Sequence, residues 1–201
     1  MTAEPIYFDH AATSWPKPPE VAQEMSRAVT GMVANAGRSG HRASLDAARL
    51  VFDARRRLAE LLGSSRAEDM VFVRGCTEGL NLVIKGFLQR EAVVAISPLE
   101  HNSVMRPLLR LVQQYGVRLA TLPADPWGRI DLEATRRVIH ATRFDLVVVC
   151  HGSNVNGVVQ DLRGLRDAIP QTPLLIDAAQ TAGVLPIDVG QSAIDFLACS
   201  A

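Results

Sequence analysis

Short apolar runs alternate with longer amphipathic stretches through most of this chain. Six runs after residue 69 are apolar at nearly every position, which predicts strands whose two faces are both buried. These runs are residues 70–73, 92–96, 118–122, 146–150, 174–176 and 196–199. Most of the intervals between them show a helical spacing of apolar residues, at 78–88, 104–115, 132–141 and 162–169. The alternation predicts an α/β fold with a mostly parallel sheet buried between helices.

The first third of the chain lacks this alternation. Residues 1–17 read as an extended arm that ends in a proline cluster, and residues 18–62 read as two helices joined by a glycine-bearing loop. Gly63 follows the second helix and suits its C-terminal cap, because glycine adopts a left-handed conformation readily. The pattern therefore divides the chain into an arm (1–17), a helical segment (18–62) and a sheet domain (63–201).

Composition narrows the possible functions. The 201 residues carry a formal net charge of +0, so nothing global suggests a nucleic-acid or membrane partner. The three cysteines lie far apart without a C-x-x-C pair. This spacing argues against a metal centre or a disulfide framework and favours a reducing, cytoplasmic environment. The basic residues are almost all arginine, and the only lysines are Lys17 and Lys85.

Ligands of parallel sheets bind beyond the carboxyl ends of the strands, so the residues after each apolar run are the candidates for chemistry. The first run is followed by Gly75, Cys76 and Thr77 at the start of a predicted helix. Free N–H groups at such a start can hold a phosphate, but Thr77 alone reads more simply as an ordinary N-cap. The segment is neither G-x-G-x-x-G nor a P-loop, which disfavours a nicotinamide dehydrogenase.

Polar residues also follow three later runs. His101 follows the second run and is either a surface histidine or an imidazole lying flat on a planar aromatic ligand. Asn154 follows the fourth run and suits either a ligand contact or a plain turn. Asp177 follows the fifth run and is either a cap or turn residue or the partner of a cation such as a protonated pyridine nitrogen. Gln180, one turn further, can reach the same ligand.

Taken in order, these motifs resemble those of the class V aminotransferase-type enzymes, which depend on pyridoxal phosphate (PLP). Within this group the chain is most similar to cysteine desulfurases and selenocysteine lyases. The matching segments are residues 7–13, 75–81, 100–101, 153–157, 177–180 and 195–201. The resemblance covers essentially the whole chain. It implies the large domain of the PLP-dependent transferase fold (fold type I), truncated before the lysine that forms the Schiff base with the cofactor.

The resemblance also implies roles for individual residues. Cys76 and Thr77 match the dipeptide that binds the cofactor phosphate, although family members often have Thr or Ala where Cys76 stands. His101 matches the histidine that stacks on the pyridine ring and is placed for proton transfer, and Asp177 matches the aspartate paired with the pyridine N–H group. The other matches are Asn154 and Gln180 on the ring-hydroxyl side, and Ala12, Asn35 and His41 near the substrate.

The lysine that would carry the cofactor has no counterpart in this sequence. Lys17 lies in the proline-rich arm, and Lys85 lies inside a predicted helix, about two turns from its start. The resemblance implies that the lysine follows Ala201 directly, in a His-Lys pair. It also implies a following half that contains the nucleophilic cysteine, the arginine that binds the substrate carboxylate, and a small domain against which residues 18–62 pack.

These implications predict a PLP-dependent cysteine desulfurase that is cytoplasmic and, when full length, a homodimer. It would convert L-cysteine or a related amino acid, place persulfide sulfur on a cysteine, and deliver it to a sulfur-acceptor protein, as in iron–sulfur cluster assembly. Two alternatives stay open. One is another enzyme of the class, namely a selenocysteine lyase, aminotransferase or epimerase. The other is a truncated product that binds or dimerises without catalysis.

Overall fold

The computed structural model describes residues 6–31, 34–38 and 40–200, and the chain divides into two units, Met1–Leu58 and Ala59–Ala201. The two predicted N-terminal helices are present as α1 (Pro19–Gly31) and α2 (Arg42–Leu61). No described helix is long and apolar enough to cross a membrane. Met32, the last residue of the apolar stripe predicted for the first helix, lies outside the described residues. The division into arm, helical segment and sheet domain stays a prediction.

The second unit contains a five-stranded sheet whose strands are all parallel. Its strands are β1 (Val93–Ile96), β2 (Arg118–Thr121), β3 (Leu146–Cys150), β4 (Leu174–Asp177) and β5 (Phe196–Ala198). Its helices are α3 (Cys76–Phe87), α4 (Asn102–Tyr115), α5 (Leu132–Ala141) and α6 (Leu162–Ala168), with a short 3₁₀ turn at Ala67–Asp69. The strand order is β2-β1-β3-β4-β5. The predicted α/β fold with a parallel sheet is confirmed.

Two apolar cores cover the two faces of this sheet. Every residue of β3 and β4 is buried, as expected for central strands of a parallel sheet. Successive side chains of a strand point to opposite faces. Val147 and Val149 accordingly belong to the core that includes Leu165 of α6, whereas Leu146 and Val148 belong to the core that includes Leu80 of α3. The continuous apolar runs of the sequence follow from burial on both faces.

The strand predicted at residues 70–73 is wrong. These residues form no strand, and Val71, Phe72 and Val73 are exposed by 66%, 51% and 37%. The described sheet ends at β5, which pairs only with β4. An apolar run becomes a strand only when a neighbouring strand takes up its backbone hydrogen bonds, and this requirement is invisible in the local sequence. The other five predicted strands are confirmed.

The cap predicted for the C-terminus of α2 is present, whereas the cap considered for the N-terminus of α3 is not. Gly63 has a positive φ of 67°, and the Ser64 N–H group donates to the Ala59 carbonyl, so the predicted C-terminal cap of α2 is confirmed. The alternative reading of Thr77 as an N-cap is wrong. Helix α3 begins at Cys76 with Gly75 in the capping position, so the cap lies two residues before Thr77.

Candidate functional site

The strand order creates a crevice between the carboxyl ends of β1 and β3. The chain runs outward from β1 to β2 and then returns past β1 to β3, so the loops after β1 and β3 leave in opposite directions. Glu100 joins the two strand ends. Its Oε1 atom accepts hydrogen bonds from Ser97 Oγ at 2.6 Å and from the Cys150 N–H group at 2.8 Å. The loop that carries His101 is thereby fixed against the end of β3.

Asp177, the last residue of β4, meets the N-terminus of α3. The carboxylate is only 4% exposed. Its Oδ1 atom accepts a hydrogen bond from the Ala179 N–H group at 3.0 Å and one from the Cys76 Sγ atom at 3.4 Å. None of the described residues forms an ion pair with it. At this strand end, where the sequence predicted a buried carboxylate, the carboxylate therefore has hydrogen bonds but no counter-ion among the described residues.

The N-terminus of α3 presents free backbone donors beside this carboxylate. The Gly75 carbonyl accepts from the N–H groups of Glu78 and Gly79, whereas the N–H groups of Cys76 and Thr77 are not needed by the helix. A Cβ atom at Gly75 would meet nothing within 4 Å, so the space before the helix is open. Such an end binds phosphate groups readily.

His101 is the N-cap of α4, and its ring is anchored through one nitrogen. The Ser103 N–H group donates to Nδ1 at 3.1 Å, and Ser103 Oγ lies 2.8 Å from the same atom. A backbone N–H group can only donate, so Nδ1 is the acceptor and the neutral ring carries its proton on Nε2. Asn81 donates to the carbonyls of Thr77 and Ser103, which ties the first turns of α3 and α4 together.

The loops after β3 and β4 are packed against each other. A Cβ atom at Gly152 would lie 2.5 Å from the Thr181 methyl group and 3.8 Å from the Gln180 Cβ atom. Gln180 is half-buried in the turn after β4, and Asn154 is exposed in the turn after β3. The carboxyl edge of the sheet thus carries Cys76 and Thr77 at the start of α3, His101 at the start of α4, Asn154 in the loop after β3, and Asp177 and Gln180 at and after the end of β4. Their roles toward a ligand stay predictions.

The three residues predicted near a substrate belong to the first unit. The Ala12 N–H group donates to the Asp9 carbonyl in an exposed turn. The Asn35 carbonyl accepts from Ser44 Oγ at 2.9 Å, and His41 Nδ1 accepts from the Ser44 N–H group at 3.3 Å, at the start of α2. Ser39 of the same loop lies outside the described residues. Their predicted role at a substrate is untested.

The structure adds Glu100 to the candidate site. The sequence had indicated this residue only as the neighbour of His101. Burial raises the pKa of Glu100 to about 7, with a smaller contribution from Asp177, although hydrogen bonds from Ser97 and the Cys150 N–H group oppose the shift. Burial likewise raises the pKa of Cys150 to about 12 and lowers the pKa of His151. A glutamate just after a buried strand was the only signal in the sequence, and its burial depends on the tertiary fold.

Lys85 lies away from the candidate site of the second unit. Lys85 lies in the last turn of α3, nine residues from Cys76, which corresponds to roughly 13 Å along the helix axis. Its side chain is exposed. Lys17 is exposed in the first unit, where it donates to Thr13 Oγ1 and to the Ser14 carbonyl. The structure agrees with the prediction that Lys85 does not reach the candidate site.

Comparison with known proteins identifies related sequences along the whole chain. The family described as aminotransferase class-V matches residues 6–201. The chain is 33% identical over 205 residues to the cysteine desulfurase IscS of Vibrio atlanticus, and 32% identical over 206 residues to a probable cysteine desulfurase of Pyrococcus abyssi. The matches cover 98% and 100% of this chain. The chain spans about half the length of these relatives, 50% in each case.

Solved structures agree with the sequence relatives. The apo cysteine desulfurase of Thermococcus onnurineus superposes with a TM-score of 0.88 at 32% identity, over 97% of this chain and 49% of that one. A structure described as SspA in complex with cysteine superposes with a TM-score of 0.85 at 29% identity, over 96% of this chain and 56% of that one.

Proposed function

This chain belongs to the class-V aminotransferase family, and on that premise we propose that it forms the PLP-binding half of a cysteine desulfurase. In the complete enzyme, L-cysteine would be converted to alanine while its sulfur remains on an enzyme cysteine as a persulfide for an acceptor protein. Relatives named cysteine desulfurase, and a related structure described as containing cysteine, support this substrate. Transfer toward iron–sulfur cluster assembly, a homodimer and a cytoplasmic location belong to the same proposal.

The observation that carries the proposal is the contact between the first residue of α3 and the last residue of β4. Cys76 Sγ lies 3.4 Å from Asp177 Oδ1, so a helix N-terminus with free N–H groups adjoins a buried carboxylate. PLP carries a phosphate and a protonated ring nitrogen on one flat molecule. The free donors suit the phosphate, and the carboxylate without a counter-ion suits the ring nitrogen. The residues present therefore fit the cofactor.

Each residue of the edge then has a task. The N–H groups of Cys76 and Thr77 would bind the phosphate, and Asp177 would hold the proton on the ring nitrogen. His101 would contact the ring and could exchange a proton only through Nε2, because Nδ1 is occupied by Ser103. When bound, PLP supplies an electron sink for negative charge at the substrate Cα atom. Ligand contacts are further proposed for Asn154 and Gln180 near the ring hydroxyl, and for Ala12, Asn35 and His41 near the substrate.

Binding of the cofactor tests the proposal on this chain directly. We expect PLP and pyridoxamine phosphate to bind, and pyridoxal without its phosphate to bind at least tenfold more weakly in calorimetric titration. Asp177→Asn should weaken PLP binding by a similar factor, because the ring nitrogen loses a charged partner. Asp167→Asn is the matched control, since Asp167 lies exposed on α6. Equal affinity of PLP for the wild type and Asp177→Asn would contradict the assignment.

Turnover tests the desulfurase reaction in a version that continues beyond Ala201 to the length of the relatives. With a dithiol present to reduce the enzyme persulfide, alanine and sulfide should form from L-cysteine, and Asp177→Ala should lower kcat by about 10² or more, because charge develops where Asp177 acts. His101→Gln should reduce cofactor occupancy by a much smaller factor than the factor by which Asp177→Ala reduces kcat. Wild-type turnover by Asp177→Ala with PLP bound would exclude Asp177 as the partner of the ring nitrogen. Transamination or racemisation of L-cysteine without sulfide would favour another enzyme of the family.

A further inference from the structure

Cys76 departs from the residues that the resembling families often have at this position, and the structure gives its thiol a specific partner. The side chain is 7% exposed at the first position of α3. Its Sγ atom donates to Asp177 Oδ1 at 3.4 Å, across 101 residues of sequence. Both hydrogen bonds that the Asp177 side chain accepts within the described chain go to Oδ1. The thiol and the Ala179 N–H group therefore fix one oxygen of this carboxylate together.

The thiol keeps its proton and can act only as a donor to the carboxylate. A helix N-terminus by itself favours the thiolate form of a cysteine. Here burial acts in the opposite direction and is the largest influence, and the negative charge of Asp177 adds to it, so the pKa of Cys76 is raised well above its ordinary value. Cys199 and Cys150 contribute smaller shifts in the same direction. Cys76 is consequently an S–H donor at every physiological pH.

We propose that Cys76 is a positioning residue for Asp177, whose S–H group holds the carboxylate in place and stabilises its anionic form. The inference rests on the proposed function, because Asp177 is there the partner of the cofactor ring nitrogen. A donor to one carboxylate oxygen favours the charged form of the carboxylate. The proton shared between the carboxylate and the ring nitrogen then stays on the ring. Cys76, which matches the phosphate-binding dipeptide, thus influences the protonation of the ring nitrogen through its hydrogen bond to Asp177.

Cys150 provides a matched control within the same chain. It is a buried thiol on the strand beside β4, and it is the register partner of Asp177. Its Sγ atom donates to the Gly152 carbonyl at 3.3 Å instead of to the carboxylate. Removing this thiol therefore tests the loss of a buried sulfur at the same sheet edge without loss of the bond to Asp177.

Infrared spectroscopy of the cofactor-free chain tests the hydrogen bond without any cofactor. The S–H stretching band of Cys76 is identified by its loss in Cys76→Ala. We expect it at a lower frequency in the wild type than in Asp177→Asn, because an amide oxygen accepts more weakly than a carboxylate. The band of Cys150, identified by Cys150→Ala, should not move in Asp177→Asn. A Cys76 band that is unchanged by Asp177→Asn would overturn the proposal.

A second test measures the ring nitrogen of PLP bound to a version of the protein that extends beyond Ala201. The ¹⁵N resonance of labelled PLP should shift toward the unprotonated value in Cys76→Ala, partly recover in Cys76→Ser, and stay unchanged in Cys150→Ala. We expect kcat of Cys76→Ala to fall by about fivefold with little change in KM, the effect of one modest hydrogen bond. Identical ¹⁵N resonances in Cys76→Ala and Cys150→Ala would contradict a positioning role. A wild type that takes up no PLP would refute the proposed function. The infrared result would still show whether the hydrogen bond between Cys76 and Asp177 forms.

Discussion

At the scale of single residues, the raised pKa of Glu100 is the property that the sequence pattern indicates least. A carboxyl group just after a buried strand is fixed by two hydrogen bonds to Oε1, while Oε2 is buried and has no hydrogen-bond partner among the described residues. Asp177 on β4 and Cys150 on β3 face it, and neither offers a positive charge. Burial without a cation therefore raises the pKa of Glu100 to about 7.

This shift makes the stability of the chain depend on pH in a definite direction. The folded pKa of Glu100 lies above the unfolded value of 4.5. Its contribution is therefore fully present below pH 4.5 and is lost as the pH rises through about 7. We expect the free energy of unfolding of Glu100→Gln minus that of the wild type to increase over this window by up to about 3 kcal/mol and then level off.

Urea unfolding at a series of pH values measures this difference. Glu133→Gln, which removes an exposed carboxylate in the first turn of α5, is the control and should show no comparable change. A difference between Glu100→Gln and the wild type that stays constant from pH 4 to pH 8 would mean that Glu100 titrates normally. The subtraction removes contributions common to both proteins, including that of buried His151, whose pKa is lowered.

At the scale of elements, Gly152 determines how closely the loops after β3 and β4 approach. The Thr181 methyl group occupies the place of a Gly152 side chain, and Thr181 cannot turn away freely because its Oγ1 atom lies 2.8 Å from His151 Nδ1. We expect Gly152→Ala to lower the free energy of unfolding by about 1–3 kcal/mol, the usual cost of overpacking.

The double variant Gly152→Ala/Thr181→Ser tests the stated cause. Serine lacks the obstructing methyl group and keeps the hydroxyl that His151 contacts, so the pair should regain most of the lost stability in chemical unfolding. Thr181→Ser alone should cost little by comparison. If Thr181→Ser does not restore the stability lost in Gly152→Ala, the clash between these two loops is not the cause of that loss.

At the scale of the whole molecule, the sheet is covered on its two faces but open at β5. Strand β5 pairs only with β4 in the described chain, and the apolar residues Val71 and Val73 are exposed. An uncovered strand edge is a template for pairing with another chain. We expect this chain by itself to self-associate with increasing concentration in sedimentation experiments, and we expect amide exchange to be fast at Val71 and Val73 and slow in β3.

Two results together would contradict this expectation. They are a monomer with a cooperative unfolding transition at all concentrations, and slow exchange at Val71 and Val73 in the same sample. Such a chain would have paired residues 70–73 in a way that the structure does not contain. Strand β2, at the opposite edge of the sheet, serves as the internal reference for an edge strand in the exchange experiment.

The local periodicity of the sequence was sufficient for most elements, because apolar spacing reports which faces of a helix or strand are buried. It predicted the five strands of the sheet, and it put Asp177 at a poorly solvated strand end. It failed at residues 70–73, where the pattern of a strand is present without a neighbouring strand. It also misread Thr77 as the cap of α3, because the cap is set by the backbone conformation at Gly75.

The sequence by itself determined most element types, the parallel sheet and the residues that gather at its carboxyl edge, since each depends on near neighbours in the chain and on order along it. Only the tertiary structure decided which side chains meet there. The contact of Cys76 with Asp177 and the burial of Glu100 against Cys150 join residues far apart in sequence. No local pattern encodes such contacts, because they depend on the strand order β2-β1-β3-β4-β5 and on how closely α3 packs against it.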